Sequence, residues 1–497
     1  MKGIIIWISA LAMLVSACEL SNNMDPKSPL EVPVESIFTN ALRDGLAHTD
    51  NMDQNVNVSR MLCQYISMTQ YVDPSRYEFS DRQIPDGYWN TAYLVLRDLK
   101  EVRKLLPEEV PISGESYFRN RDNKMAIADI MVVLMMQNLV DLFGNVPYLD
   151  ALGGFKNKTP AYDDARSIYD ALLSRLTEDI ETLSAGVNHE SWGAEDLVYS
   201  GDVVMWRKFA ATLKLRMGMR LAEVDRTSAQ SMLSEALATG CLEKGESMQL
   251  PWIGVTPHVN TIYNVFILAN RRDYVPSKTI IDIMEAMDDA RMPAYFTQVD
   301  TSTQTGVEKL TYIGLPYGMV VGSSYSGYSH FSDPMFAPAF PATFACHAEV
   351  EFLLAEASAR GMDVDGGSAR EHYEAGIAES HAFWGVSMDP DYLSHPDVAW
   401  DAARARELIG TQKWIALYNR GNEGYASWRC LDWPVLKVPH DLSYEDIPMR
   451  MPYPYNEPSL NGENYQAAAD AIGGDNVRTL IFWDLAAGTE NPPPSFR

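Results

Sequence analysis

Met125–Leu142 reads MAIADIMVVLMMQNLVDL and runs directly into FGNVPY, which ends at Tyr148. Ile127, Ile130, Val132, Val133, Leu134, Met135 and Met136 are spread over every face of a helix, so the segment is expected to be central and covered on all sides by protein. Its ends are too polar for a bilayer span, and no later segment is read as long and apolar enough for one. Gly144 and Pro147 then stop the helix and turn the chain. A helix with no solvent face needs a jacket of other elements, and the surrounding periodicity supplies helices.

Downstream, Ile168, Leu172, Leu176, Ile180 and Leu183 recur at spacings of four and three, one face of a helix over 165–184 whose other face is charged. Trp206, Phe209, Leu213, Met217 and Leu221 mark another apolar face, in a helix over 203–223. Similar patterns predict helices near 35–47, 52–70, 87–106, 227–239, 277–289, 345–361, 368–384 and 399–419. Gly240 and Gly361 follow two of these as C-terminal caps. Helices joined by short loops form antiparallel pairs, and pair after pair suggests tetratricopeptide-like stacking, although no clean 34-residue consensus is legible. The expected fold is therefore mostly α: about four helix pairs, with few short strands and long irregular loops packed on them. Those loops fall at 72–86, 241–276, 297–344 and 430–480. Loops of that length in a folded protein are usually functional.

The leading residues have a different character. Lys2 precedes an apolar run, Ile4–Val15, and Ser16-Ala17-Cys18 follows. The run is too short to span a bilayer and fits a signal peptide over 1–17. Small residues directly before a cysteine fit a lipoprotein site, with Cys18 lipidated as the first mature residue. Residues 18–34 carry Pro26, Pro29 and Pro33 and read as a flexible tether, leaving 35–497 as a single helical domain. The membrane is thus reached through acyl chains only.

The 497 residues include 67 Asp and Glu against 40 Lys and Arg, a net charge of -27. Cleavage after Ala17 removes only Lys2 from the charged set, so the acidity belongs to the body and argues against nucleic acid as a partner. Cys63, Cys241, Cys346 and Cys430 are scattered with no Cys-x-x-Cys spacing, which suits buried free thiols better than a metal site or a disulfide framework.

Chemical motifs are scarce. Residues 322–327, GSSYSG, do not give a nucleophile elbow in register, and there is no phosphate loop, dinucleotide fingerprint or His-Glu-x-x-His. His372 and His381 fall roughly opposite in helical phase. Asp363, Asp365 and Glu374 match three positions of a calcium loop, yet Ser368 stands where the turn glycine belongs, so a helix-to-helix turn explains them better. No metal, cofactor or catalytic residue is assigned.

Several blocks, taken together, resemble one family. They are the cysteine-ended leader, DLFGNVPY at 141–148, WRKFAATLKLR at 206–216, DARMPAYF at 289–296, AEVEFLLAEA at 348–357, QKWIALY at 412–418, RMPYP at 450–454 with Glu457, Asn461 and Asn464, and FWD at 482–484. In this order they resemble the SusD/RagB-type lipoproteins of Bacteroidetes and span nearly the whole mature chain. The departure is Asp288-Asp289-Ala290, where Asp-Pro is commoner.

The resemblance implies a non-enzymatic outer-membrane lipoprotein facing the cell exterior, the capture lid of a SusC-type TonB-dependent transporter, taking up a nutrient and usually a glycan. A peptide or other non-glycan nutrient binder of the same fold is the alternative, and a surface glycoside hydrolase a further one. It also implies that ligand contacts lie in the loops 71–88 and 312–328, which nominates Tyr71, Arg76, Tyr77, Tyr88, Tyr325 and Tyr328. Sugar C–H faces stack on such rings while polar side chains bond the hydroxyls.

Overall fold

Tertiary structure was taken from a computed structural model, which describes residues 32–108, 114–302, 309–321, 325–439, 441–443 and 446–485. Cys18, the leader and most of the tether lie outside the described residues, as do Gly322–Ser324.

Ten longer helices carry the architecture: α1 (Val34–Thr49), α2 (Ile84–Leu105), α3 (Gly114–Phe143), α4 (Ala165–Ala185), α5 (Val203–Arg220), α6 (Arg226–Thr239), α7 (His347–Ala359), α8 (Ala369–Phe383), α9 (Ala405–Ala416) and α10 (Gly421–Leu431). α1 packs on α2, α3 on α4, α5 on α6 and α7 on α8, giving four hairpins, with α9 and α10 as a fifth. α2 also packs on α3 and α4 on α5, so the first six helices stack. α7 then packs against α5 and α10 against α3, closing the second half onto the first. Nearly all the buried apolar residues form one continuous cluster from Val34 to Trp483.

Carboxylates and hydroxyls start many of these helices. Asp164, Asp202, Asp225 and Ser368 each accept a backbone N–H of the first turn, satisfying donors the helix itself cannot. At the other end of α3, Gly144 takes the left-handed conformation that a helix stop favours (φ 81°). Asn145 then accepts the Ala165 N–H at 2.9 Å and Asp163 accepts those of Tyr148 and Leu149, so the turn after α3 is fastened to the start of α4.

The structure corrects four expectations. α3 does contain, from Ser116 to Phe143, a stretch long and apolar enough to cross a membrane, and every residue of its most apolar window is buried in protein. Residues 52–70 are not one helix: only Ser59–Leu62 is helical, and β1 (Ile66–Met68) follows. The cause is local. Asn51, Asp53 and Asn57 bond backbone N–H groups two residues on, an alternative to the helical ladder. The helix placed at 399–419 begins only at Ala405, and the stretch 430–480 contains two short helices, Glu457–Leu460 and Gly462–Ala471.

Strands are few and short. β1 pairs antiparallel with β3 (Tyr274–Pro276), and β2 (Ser247–Leu250) with β6 (Ala342–Cys346). β4 (Val299–Asp300) and β5 (Leu310–Thr311) form the remaining pair.

The blocks that carry the family resemblance hold the stack together through buried charge. Glu349 on α7 lies 2.6 Å from Arg216 of α5 and also pairs with Arg420 at the head of α10, all three nearly or fully buried. Burial pushes the Glu349 carboxyl up, but the two guanidiniums more than reverse this and hold it well below the usual carboxylate range. Arg220 pairs with Glu423 at 2.7 Å. Arg291, in the DARMPAYF block, bonds Asp289 at 2.6 Å, Ser380 of α8 at 2.9 Å and Gln412 of α9 at 2.8 Å. Asp141 accepts from Tyr169 and from the Trp483 indole, tying the chain end to α3 and α4.

Candidate functional site

β1 and β3 come from positions some two hundred residues apart, and their pairing sets Met68 opposite Tyr274, with the Thr69 N–H donating to the Asp273 carbonyl. The chain leaving β1 therefore emerges beside the chain entering β3. Tyr71 stands at that exit with φ 55° and is 52% exposed. Arg82 and Arg271 place their guanidinium carbons 5.0 and 5.5 Å from its ring centroid. Each arginine is held by its own acid, Arg82 by Asp73 at 2.9 Å and Arg271 by Asp273. The Asp273 bond raises the Arg271 pKa further, so this charge is permanent. The outcome is a half-exposed ring that carries two guanidiniums in cation–π contact, both positioned in advance.

A second segment, 312–328, is docked beside the first. The Lys278 N–H donates to the Leu315 carbonyl at 2.8 Å, and Gly314 lies so close that a Cβ there would sit 2.7 Å from the Lys278 nitrogen. Gly318, at φ 68°, packs against Pro439 and the Ser75 carbonyl, where a Cβ would be 2.7 Å from Pro439. Arg76 donates to the Gly318 carbonyl at 3.3 Å, and the Tyr77 and Tyr317 rings lie 6.1 Å apart. Met319 and Val320 follow with their side chains exposed.

Tyr325 is half-buried and stacks on His330, with centroids 4.0 Å apart and planes 8° from parallel. Burial pushes its phenol up to about 12, partly offset by Arg272, so it stays a neutral hydroxyl. Burial lowers the pKa of His330, whose Nε2 lies 3.2 Å from the Tyr325 carbonyl and donates to it in the neutral ring. Tyr328 is also half-buried.

The nominated residues thus divide. Tyr71, Arg76, Tyr77, Tyr325 and Tyr328 lie on the two docked segments, Tyr71 as the most open ring and Arg76 and Tyr77 in the seam between them. Tyr88 is different: it sits on α2, 4% exposed, with its Oη accepting from Asn422 of α10 at 2.7 Å and its ring against His48. It is a core residue, not a surface contact. Arg82, Arg271, Arg272 and His330 complete the cluster and were not nominated; Arg82 shares the loop of Tyr71, whereas the β1–β3 pairing brings Arg271 to it.

Other features resolve as structure. Cys63, Cys241 and Cys346 are buried free thiols and Cys430 is half-buried. At the calcium-like turn, the Asp365 N–H bonds the Asp363 carboxylate and Glu374 pairs with Arg370 at 2.7 Å. Among the described residues, no group of three or more His, Cys, Asp or Glu is placed to hold a metal ion.

Compared with known proteins, residues 26–454 match the SusD-like family described as "Starch-binding associating with outer membrane". No curated protein matches. Among solved structures, a SusD homolog from Bacteroides uniformis is 26% identical, with a TM-score of 0.75 over 90% of this chain and 99% of that one. A chitin-binding protein is 25% identical, with a TM-score of 0.75 over 91% and 99%. A chitin-binding SusD homolog from Flavobacterium johnsoniae, 22% identical, shares the fold at a TM-score of 0.76 over 90% and 99%.

Proposed function

Because the chain belongs to the SusD-like family, we propose that it is a non-enzymatic, glycan-capturing lipoprotein of the outer membrane, displayed to the cell exterior and working as the lid of a SusC-type TonB-dependent transporter. The observation that carries the ligand reading is the half-exposed Tyr71 ring between Arg82 and Arg271, on a surface that two distant loops build together. A pyranose presents an apolar C–H face and a rim of hydroxyls; the exposed part of the ring meets the face, and the guanidiniums held over the ring donate to the rim. Binding of this kind requires no reactive group. The names of the relatives, starch-binding and chitin-binding, support a neutral polysaccharide as the ligand class. Lipidation at Cys18 would hold the acidic body at the membrane surface without a spanning helix.

Purified protein should bind starch- or chitin-derived oligosaccharides saturably and release no reducing ends, and Tyr71→Ala or Arg271→Ala should weaken that binding. Product release, or affinity untouched by substitution at Tyr71, Arg271 and Tyr325 together, overturns the reading. A preference for peptides over every glycan on an array establishes the non-glycan alternative. The anchor is tested separately: a Cys18→Ser chain should leave the membrane fraction after a high-salt wash.

A further inference from the structure

Away from the Tyr71 surface, the chain forms a partly open cavity of about 540 Å³, within the size range of small-molecule sites. Its walls come from four parts of the fold: the β2–β6 ladder, the C-terminal end of α8, the turn between α9 and α10, and the segment around Ser332. That last segment continues from His330, the stacking partner of Tyr325, so one stretch of chain borders both places.

The wall chemistry selects a guest. Phe340 and Trp384 stand with centroids 6.4 Å apart and planes only 28° from parallel, and Phe383 beside them is 38% exposed. Charged wall groups are already matched within the protein: Lys244 with Glu379 at 3.0 Å, Glu246 with Lys208 at 2.8 Å, Arg420 with Glu349, and His347 with Glu351 at 3.2 Å. An ionic guest would find no counter-charge waiting. Gln249, Ser332, Thr343 and Asn419 add uncharged polar side chains to the lining. A neutral guest with flat apolar faces suits walls made of aromatic rings and already matched charges.

We propose that this cavity is a second binding site, taking one or two terminal residues of a neutral saccharide while the Tyr71 surface holds the longer chain. The choice of guest rests on the glycan reading above; the existence of a site rests on the cavity and its aromatic, charge-matched walls.

Ala382 lies on the cavity wall at the end of α8 and is exposed, so Ala382→Trp fills the space without disturbing the core. The probes are maltose and N,N′-diacetylchitobiose, with hexamers of the same sugars, titrated calorimetrically into the wild type, Ala382→Trp, Phe383→Ala and Tyr71→Ala, each checked for unchanged melting. At least one disaccharide should bind the wild type, weaken at least tenfold in Ala382→Trp, and weaken in Phe383→Ala, while the hexamers should also weaken in Tyr71→Ala. Hexamers that bind while neither disaccharide does, or disaccharide affinity unchanged in Ala382→Trp, overturn the cavity site and leave the glycan reading standing. Failure of every sugar in every variant overturns both.

Discussion

Removal of the Glu349 side chain tests whether the stack is fastened by buried charge. Glu349 is fully buried and bridges Arg216 and Arg420, which retain only 3% and 6% of their side-chain exposure. In Glu349→Ala, Arg420 keeps the Phe344 carbonyl and the Cys346 sulfur, and Arg216 keeps the Phe344 carbonyl and Glu423 at 3.4 Å. Neither keeps its main counter-charge, and breaking such a pair from one side costs roughly 3–5 kcal/mol. Unfolding entropy near 2.1 cal/mol/K per residue, over about 450 residues melting as one unit, gives about 1 kcal/mol per degree, so Tm should fall by roughly 3–5 °C. Calorimetric melting reads this directly. The comparison is Asp170→Ala, which removes the exposed partner of Arg166 and should move Tm by less than about 1 °C. Equal, small shifts in both variants would mean that buried charge is not what fastens α5, α7 and α10.

The other expectations are briefer. Tyr71→Ala should weaken oligosaccharide binding roughly three- to tenfold by titration, the worth of one aromatic platform, whereas Tyr88→Phe should leave binding unchanged and cost about 1 kcal/mol in denaturant unfolding, because Asn422 loses its acceptor. Between α7 and α8, Glu351 is clamped by His347 at 3.2 Å and His372 at 2.7 Å, while each ring's other nitrogen faces a backbone carbonyl, an arrangement that favours the doubly protonated form of both rings. Burial lowers the His347 pKa and Glu351, with Glu379 adding to it, more than reverses this; at His372 the Glu351 bond is the leading cause of a raised value, and Glu371 adds to it. The two histidine bonds hold Glu351 at about 2 against the upward push of burial. Raised histidines stabilise fully below about pH 6.5 and lose that contribution as pH climbs through their folded values; the depressed Glu351 stabilises above about pH 4.5 and loses its contribution as pH falls toward 2. Between pH 6 and 9 the wild type should therefore lose more Tm than the double variant His347→Gln/His372→Gln. Burial pushes the thiols of Cys241 and Cys430 up to about 12 and that of Cys63 higher still, so a thiol reagent should label Cys63, Cys241, Cys346 and Cys430 only after denaturation.

Periodicity found the helices with a clear apolar stripe and missed those shaped by contacts distant in sequence. α4 was legible because its leucines and isoleucines line one face. α10 was not, because Gly421 and Gly424 look like helix breakers; in the fold they make room, for a Cβ at Gly421 would lie 2.6 Å from the Arg60 nitrogen and one at Gly424 2.6 Å from the Tyr65 hydroxyl. The same divide runs through the site. Loop position and family resemblance pointed to Tyr71, Arg76 and Tyr325, but not to Arg271, whose place beside Tyr71 comes from the β1–β3 ladder. Tyr88 could have been excluded from sequence: Tyr88, Ala92, Val95, Leu99 and Val102 form an apolar stripe on α2, and all five are buried.

Fold and ligand choice are written in different residues of this chain. Asp141, Arg216, Arg291, Glu349, Gln412 and Arg450 come from six of the blocks that carry the resemblance, and all are buried and bonded across elements. Tyr71, Arg82, Arg271 and Tyr325 lie outside every block. Their surroundings are loops fixed at a few backbone points, such as the Thr69–Asp273 and Lys278–Leu315 hydrogen bonds, which any side chain can keep. Substituting the Tyr71 cluster therefore leaves the ion pairs between helices untouched, so such a scaffold can change its ligand without reopening its helical core, and a match to the blocks predicts the helix stack far better than it predicts the sugar.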